Sequence, residues 1–245
     1  MKRILIVGIV GVLGTVVVLS GCSSDNGVAR PLSTTLRAVQ VGDYYEYTIR
    51  GSATHPDVEP EDAPPVSGTV RVSVSNSELR ILNEPILRFE YITTLRIGTE
   101  LRESRFALHY LQGRNPRDLL LIAYEDTQGQ IQPITPQIIA VPGLWSAGYS
   151  RSYSEPFVYS FIITGQDVVN TPLGKFTTWR CYVRSQVPMD DPIENAVRTV
   201  WYAPEIGMPV AVQLTTTIVV GQQTWTVSLH QQLSFTTVPI PDTNL

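Results

Sequence analysis

An all-β fold, mainly antiparallel and built from long curved strands, is predicted by three features of this 245-residue chain. Apolar residues recur with a period of two, no segment keeps a helical period over three turns, and turn residues punctuate the apolar runs. The expected architecture is an open or closed barrel-like sheet or a large sandwich, because several runs exceed the five or six residues of an ordinary strand.

The chain starts with Lys2 and Arg3, followed by an uncharged apolar run from Ile4 to Leu19. That is the order of an export signal, and the run is shorter than the roughly 20 apolar residues of a comfortable membrane-spanning helix. Directly behind it, Leu19-Ser20-Gly21-Cys22 resembles the lipobox of bacterial lipoproteins, and polar Ser23-Ser24-Asp25-Asn26-Gly27 follows. The resemblance implies cleavage after residue 21 and a diacylglyceryl group on the Cys22 thiol. Each buried acyl methylene contributes about 0.8 kcal/mol, and stable anchoring needs more than one chain. Ser23, where a sorting signal of two-membrane bacteria would have Asp, implies delivery to the outer membrane if the organism has one.

Three regions are expected: a signal peptide over 1–21, a polar tether over 22–36, and a single β domain over 37–245. The domain opens with Val41-Gly42-Asp43-Tyr44-Tyr45-Glu46-Tyr47-Thr48-Ile49, an aromatic-rich strand. Residues 53–66 combine four prolines with four acids and read as an exposed loop. Val70, Val72 and Val74 then alternate with polar neighbours, as do Leu87, Phe89 and Tyr91. Ile97-Gly98-Thr99 reads as a tight turn into Phe106, Leu108 and Tyr110, and Thr127-Gln128-Gly129-Gln130 as a second hairpin. Pro136–Ala140 and Asp191–Ala196 read as single helical turns. Near the end, Trp225, Val227, Leu229, Leu233 and Phe235 are expected on one face, with Pro209–Val219 paired to them across Gly221-Gln222.

The full chain carries a net charge of −4, and loss of Lys2 and Arg3 with the signal leaves the mature protein more acidic still. A net acidic chain with no basic run argues against nucleic acid as a partner. With Cys22 assigned to lipid, Cys181 has no intramolecular partner and the fold does not rely on disulfides.

Chemistry is sparsely marked. His55, His109 and His230 lack metal-ligand spacing, so no metal and no cofactor is expected. No Gly-x-Ser-x-Gly elbow is present, and no serine stands beside a recognisable His and acid, so no catalytic residue is assigned and hydrolysis is the least favoured activity. The acids at Glu59/Glu61/Asp62 and Asp190/Asp191/Glu194 read as solvated loop charge. Cys181 lies with Trp179 and Val183 on the apolar face of its strand, as a small hydrophobe. On the opposite face Arg180, Tyr182 and Arg184 form a stripe whose two guanidiniums are spaced to contact an anion, although pairing with acids across the sheet is the commoner use.

Thr171-Pro172-Leu173-Gly174-Lys175-Phe176-Thr177-Thr178 and Val200-Trp201-Tyr202-Ala203-Pro204-Glu205-Ile206-Gly207 resemble a pattern recurring in exported bacterial β domains of unknown function, many of them lipoproteins. The Val41-Gly42-Asp43-Tyr44 opening fits the same pattern. The resemblance implies an envelope protein and transfers no site residues. Two partners are therefore expected besides the membrane held through Cys22: an apolar ligand carried by the curved sheet, or another envelope protein met by a domain with a filled core. Replacing Cys22 with Ser should move the protein from the membrane to the soluble fraction and remove the acyl mass; membrane retention without acyl mass would refute lipid anchoring.

Overall fold

The computed structural model describes residues 32–240 apart from 60–61, 82–83, 115, 187–195 and 221–222. The export signal, Cys22, Glu61 and the Asp190/Asp191/Glu194 group lie outside the described residues, as does most of the Asp191–Ala196 turn. The described residues form one antiparallel sheet of twelve strands. In chain order these are β1 (Tyr44–Thr54), β2 (Pro65–Asn76), β3 (Ile86–Ile97), β4 (Glu100–Gln112), β5 (Leu119–Glu125) and β6 (Ile131–Val141). Then come β7 (Ser150–Tyr153), β8 (Tyr159–Thr171), β9 (Gly174–Ser185), β10 (Arg198–Ala203), β11 (Met208–Val220) and β12 (Gln223–Thr236).

The sheet order is β6-β5-β4-β3-β2-β1-β12-β11-β10-β9-β8-β7. Every neighbouring pair is consecutive in the chain except β1 with β12, so two six-strand meanders are joined where the first strand meets the last. The two edge strands, β6 and β7, are themselves consecutive. Residues 142–149 must therefore cross from one edge to the other, and a chain reaches only about 3.3–3.6 Å per residue. This short connection curls the sheet into a nearly closed barrel.

The seam between the edges is held by side chains. Ile139 N–H of β6 donates to the Tyr153 hydroxyl at 3.2 Å, and the Tyr159 hydroxyl of β8 donates to the Ala140 carbonyl. Tyr153 and Tyr159 also face each other at 6.4 Å between ring centroids. One end of the barrel is plugged by the segment preceding β1. Leu36 (0% exposed) and Val39 (4%) enter the core there. Residues 33–36, placed by the sequence at the end of a tether, are docked: Trp145 N–H donates to Thr34 O, Leu36 N–H to Gly143 O, and the Trp179 indole to Ser33 O, each at 2.9 Å. Arg37 closes the plug with two hydrogen bonds to Asp43, at 2.7 and 2.9 Å, while its own N–H reaches Pro204 O.

Alternation sorts the strands as expected, with inward Tyr45, Tyr47 and Ile49 beside inward Val72 and Val70 of β2. The Gly98-Thr99 turn, the 126–130 hairpin and the β11–β12 pairing stand where the sequence placed them. Three local expectations are corrected. Pro136–Ala140 is no helical turn but belongs to β6, an edge strand that tolerates proline, with Ile134, Ile138 and Ala140 buried and the ladder to β5 interrupted opposite them. The proline-rich loop is shorter than 53–66, because Pro65 already opens β2 opposite Ser52. Phe235 does not share the inward face: a register shift places Tyr47 opposite Leu233 but Glu46 opposite Phe235, which turns Phe235 outward, 52% exposed, against Tyr44.

Curvature has a local cause at two glycines. A Cβ on Gly51 would stand 2.2 Å from Ser228 O, and one on Gly68 would stand 2.1 Å from Thr94 O. The backbones of neighbouring strands approach there more closely than any side chain allows. Gly68→Ala should therefore destabilise the domain by about 1–3 kcal/mol, seen as a fall in Tm of roughly 2–4 °C per kcal/mol; an unchanged Tm would show that the close approach is relaxed without cost.

Candidate functional site

A barrel of twelve strands is wider than aliphatic side chains fill. Here aromatics take up much of the interior: Tyr91 stacks on Phe106 at 4.7 Å, Phe89 meets Tyr110 edge-on at 4.9 Å, and Trp145 tilts against Tyr202 at 4.9 Å. What remains is a central cavity of about 130 Å³. Tyr47, Tyr91, Tyr110, Tyr159, Phe161 and Tyr202 supply its aromatic wall, and Thr93, Ser185, Gln231 and Arg198 its polar groups. Ala140, Val141 and Tyr159 also line it, so the cavity abuts the seam.

The tyrosine hydroxyls are anchored to backbone. Tyr47 donates to Pro209 O at 2.9 Å, and Tyr45 donates to Ile206 O at 3.1 Å. Burial pushes the phenols of Tyr47, Tyr159 and Tyr202 well up, so they stay neutral donors. None of the three histidines lines the cavity, and among the described residues no histidine or carboxylate lines it beside Ser185 or Thr93. Such a lining can receive an apolar body and offer it hydrogen-bonding groups.

The outer face is polar, as outward Arg71, Glu90, Arg105, Gln213 and Thr215 illustrate. A barrel that crosses a membrane carries the opposite pattern, an outward apolar band about 25 Å tall. Arg180 and Arg184 are both exposed on this face. Arg180 approaches Asp167 at 3.4 Å and donates to Thr164 Oγ1 at 3.1 Å, and Asp167 also accepts from the Trp201 indole at 2.9 Å. With Gln232 donating to Asn170 O at 2.9 Å, these contacts fold the distal end of the β8–β9 hairpin over β10 to β12. Tyr182 between the arginines is 42% exposed. Cys181 is 0% exposed, and burial pushes its thiol up, away from the reactive thiolate.

His55 rests against Trp225 at 5.2 Å, and His230 is exposed on β12. His109 is 1% exposed although it points to the outer face, because the segment after β2 covers it. Its Nδ1 lies 2.7 Å from Ser77 Oγ, and its Nε2 lies 3.2 Å from Glu125 Oε1, off the line of a well-formed hydrogen bond. Arg88 grips Glu125 through Nε at 2.6 Å and Nη2 at 2.9 Å, and continues to Glu90, which Arg105 also holds at 2.7 Å. Ser77, His109 and Glu125 come from three separate strand ends, with no spacing that would reveal them. The only trace in the sequence is a histidine inside the apolar run Phe106 to Leu111. Among the described residues no group of His, Cys, Asp and Glu is arranged to hold a metal ion.

No family model matches the chain, and no curated protein matches it. Among solved structures, a candidate exported protein with a YmcC-like fold from Bacteroides fragilis is 13% identical over 83% of this chain and 99% of that one, with a TM-score of 0.34. A porin-like protein from Bacteroides uniformis is 9% identical over 78% and 96%, with a TM-score of 0.25. Superpositions this loose carry no argument about function.

Burial holds the His109 imidazole below its usual 6.5 despite the Glu125 carboxylate. The Arg88 guanidinium holds Glu125 below the usual carboxylate range. In each case the unfolded chain takes up its proton first as pH falls. Stability should therefore decline from about pH 6.5 downward through His109 and further below about pH 4.5 through Glu125. Urea unfolding of His109→Gln should lose some of the upper step; an upper step of unchanged size would exclude His109 as a contributor.

Proposed function

We propose that the protein is a lipid-anchored lipoprotein of the cell envelope whose barrel takes up one compact apolar molecule with a polar end. The observation that carries this reading is the aromatic cavity of about 130 Å³ inside the curled sheet, whose lining also includes Thr93, Ser185, Arg198 and Gln231. Pockets for drug-sized ligands are roughly 300–1,000 Å³, whereas a dry cavity of about 150 Å³ holds a benzene ring. The volume thus selects a one-ring molecule, or the tip of a longer chain, over a whole lipid. The cavity holds its guest without transforming it, since no nucleophile there has a base beside it. Attachment through Cys22, to the outer membrane where there are two membranes, would keep the barrel close to the bilayer.

Native mass spectrometry with solvent extraction of the whole chain, purified from its own envelope, should show one apolar molecule per protein. Val200→Phe, which fills the cavity from β10, should remove that mass while the protein stays folded. A clean apo mass, with no uptake of an added one-ring aromatic, would instead assign the protein to the filled-core class that meets another envelope protein through its outer face.

A further inference from the structure

Nothing along the chain places a serine beside a histidine and an acid, but the fold does so on the outer face, away from the cavity. Ser77 follows β2, His109 stands near the end of β4, and Glu125 ends β5. Ser77 Oγ accepts the Leu79 N–H at 3.0 Å and stands 2.7 Å from Nδ1 of His109. The Glu125 carboxylate, 3.2 Å from Nε2 though off the line of a well-formed hydrogen bond, draws the ring proton to that nitrogen and leaves Nδ1 as the bare one. Glu125 is kept ionised and fixed in place by the fork of Arg88. This is the order of groups that activates a serine, hydroxyl to neutral imidazole to carboxylate, with the two ring nitrogens exchanged relative to the usual serine-hydrolase arrangement.

Access differs between the members. His109 is sealed from solvent at 1% exposed, whereas Ser77 is half-buried and lines a surface hollow of about 290 Å³ together with Asn76, Leu79, Arg80 and Glu84. A nucleophile at the wall of an open hollow with its base buried behind it is the division of exposure that acyl transfer needs.

We infer that Ser77 is a nucleophile, with His109 as its general base and Glu125 as the positioning residue of that base, acting on small carboxylic esters that reach the hollow from solvent. The Ser77 oxygen bonds to the ester carbonyl carbon as its proton passes to Nδ1 of His109. The carbon–oxygen bond to the alcohol then breaks, and that proton leaves with the alcohol. Water adds to the resulting acyl-serine, giving one proton to Nδ1. Collapse returns that proton to Ser77 and releases the carboxylic acid. The inference is independent of the cavity, and its failure would leave the ligand-binding reading untouched.

The test is labelling of the whole chain with a fluorophosphonate, located by peptide mass spectrometry, alongside p-nitrophenyl acetate turnover. One adduct on Ser77 is expected, absent in Ser77→Ala, and formed about 10²-fold or more slowly in His109→Gln. In the unmodified protein the labelling rate should also fall as the pH drops below about 6.5 and His109 takes up a proton, a readout that does not depend on any variant folding. Ser77, Glu125 and Arg88 face His109, and none of the three changes charge as the pH first falls below that value. No adduct on Ser77 at saturating reagent would overturn the proposal. So would a Ser77 labelling rate indifferent to both pH and His109→Gln.

Discussion

The seam between β6 and β7 is the constraint on which the rest of the barrel depends. A sheet whose edge strands are consecutive in the chain must bring those edges together, yet here they are not zipped by a backbone ladder. Two tyrosine hydroxyls bridge them, one accepting from Ile139 and one donating to Ala140. Tyrosine suits this role because its ring contributes core area while its hydroxyl satisfies backbone that would otherwise be stranded at an edge. Tyr159 also bounds the cavity, so the weakest joint in the wall lies beside the enclosed space of the interior.

The second joint is the plug. Residues 33–39 reach both meanders and the connection between them: Gln112 in the first, Gly143 in the connection, Pro204 and Trp179 in the second. A segment that the sequence assigns to a tether thus ends as a clasp across one mouth of the barrel. The hairpins β1–β2, β3–β4 and β11–β12 stand at the far end from that mouth.

What is legible in the sequence follows from the range of each interaction. The strands and most turns are readable because period-two alternation and glycine turns are local: Val70, Val72 and Val74 face inward, and Gly98 sits at a φ of 60°. Phe235 escapes its expected face through a bulge, which shifts parity by one without any mark in composition. Pro136 misleads because proline signals a strand breaker, whereas an edge strand accommodates it. Of the candidate sites, the burial of Cys181 and the outward Arg180/Arg184 stripe are visible from parity. The pairing of Arg180 with Asp167 is not, because it depends on a hairpin folding back over its neighbours. Ser77, His109 and Glu125 are invisible for the same reason, since register across three strands alone brings them together.

The order of strands also bears on how the chain folds. Ten of the sheet's pairings are between strands adjacent in sequence, and the pairing of β1 with β12 is the exception. Until residues 223–236 have been made, the inward face and unpaired edge of β1 have no partner, and the first six strands cannot close on the second six. A chain that emerges from its N-terminus onward must postpone its final structure, and here the last strand to emerge is the one that permits it. The fold thereby builds a delay into its own connectivity, and the long free edge exposed during that delay is a template for mispairing that a holding chaperone would have to mask.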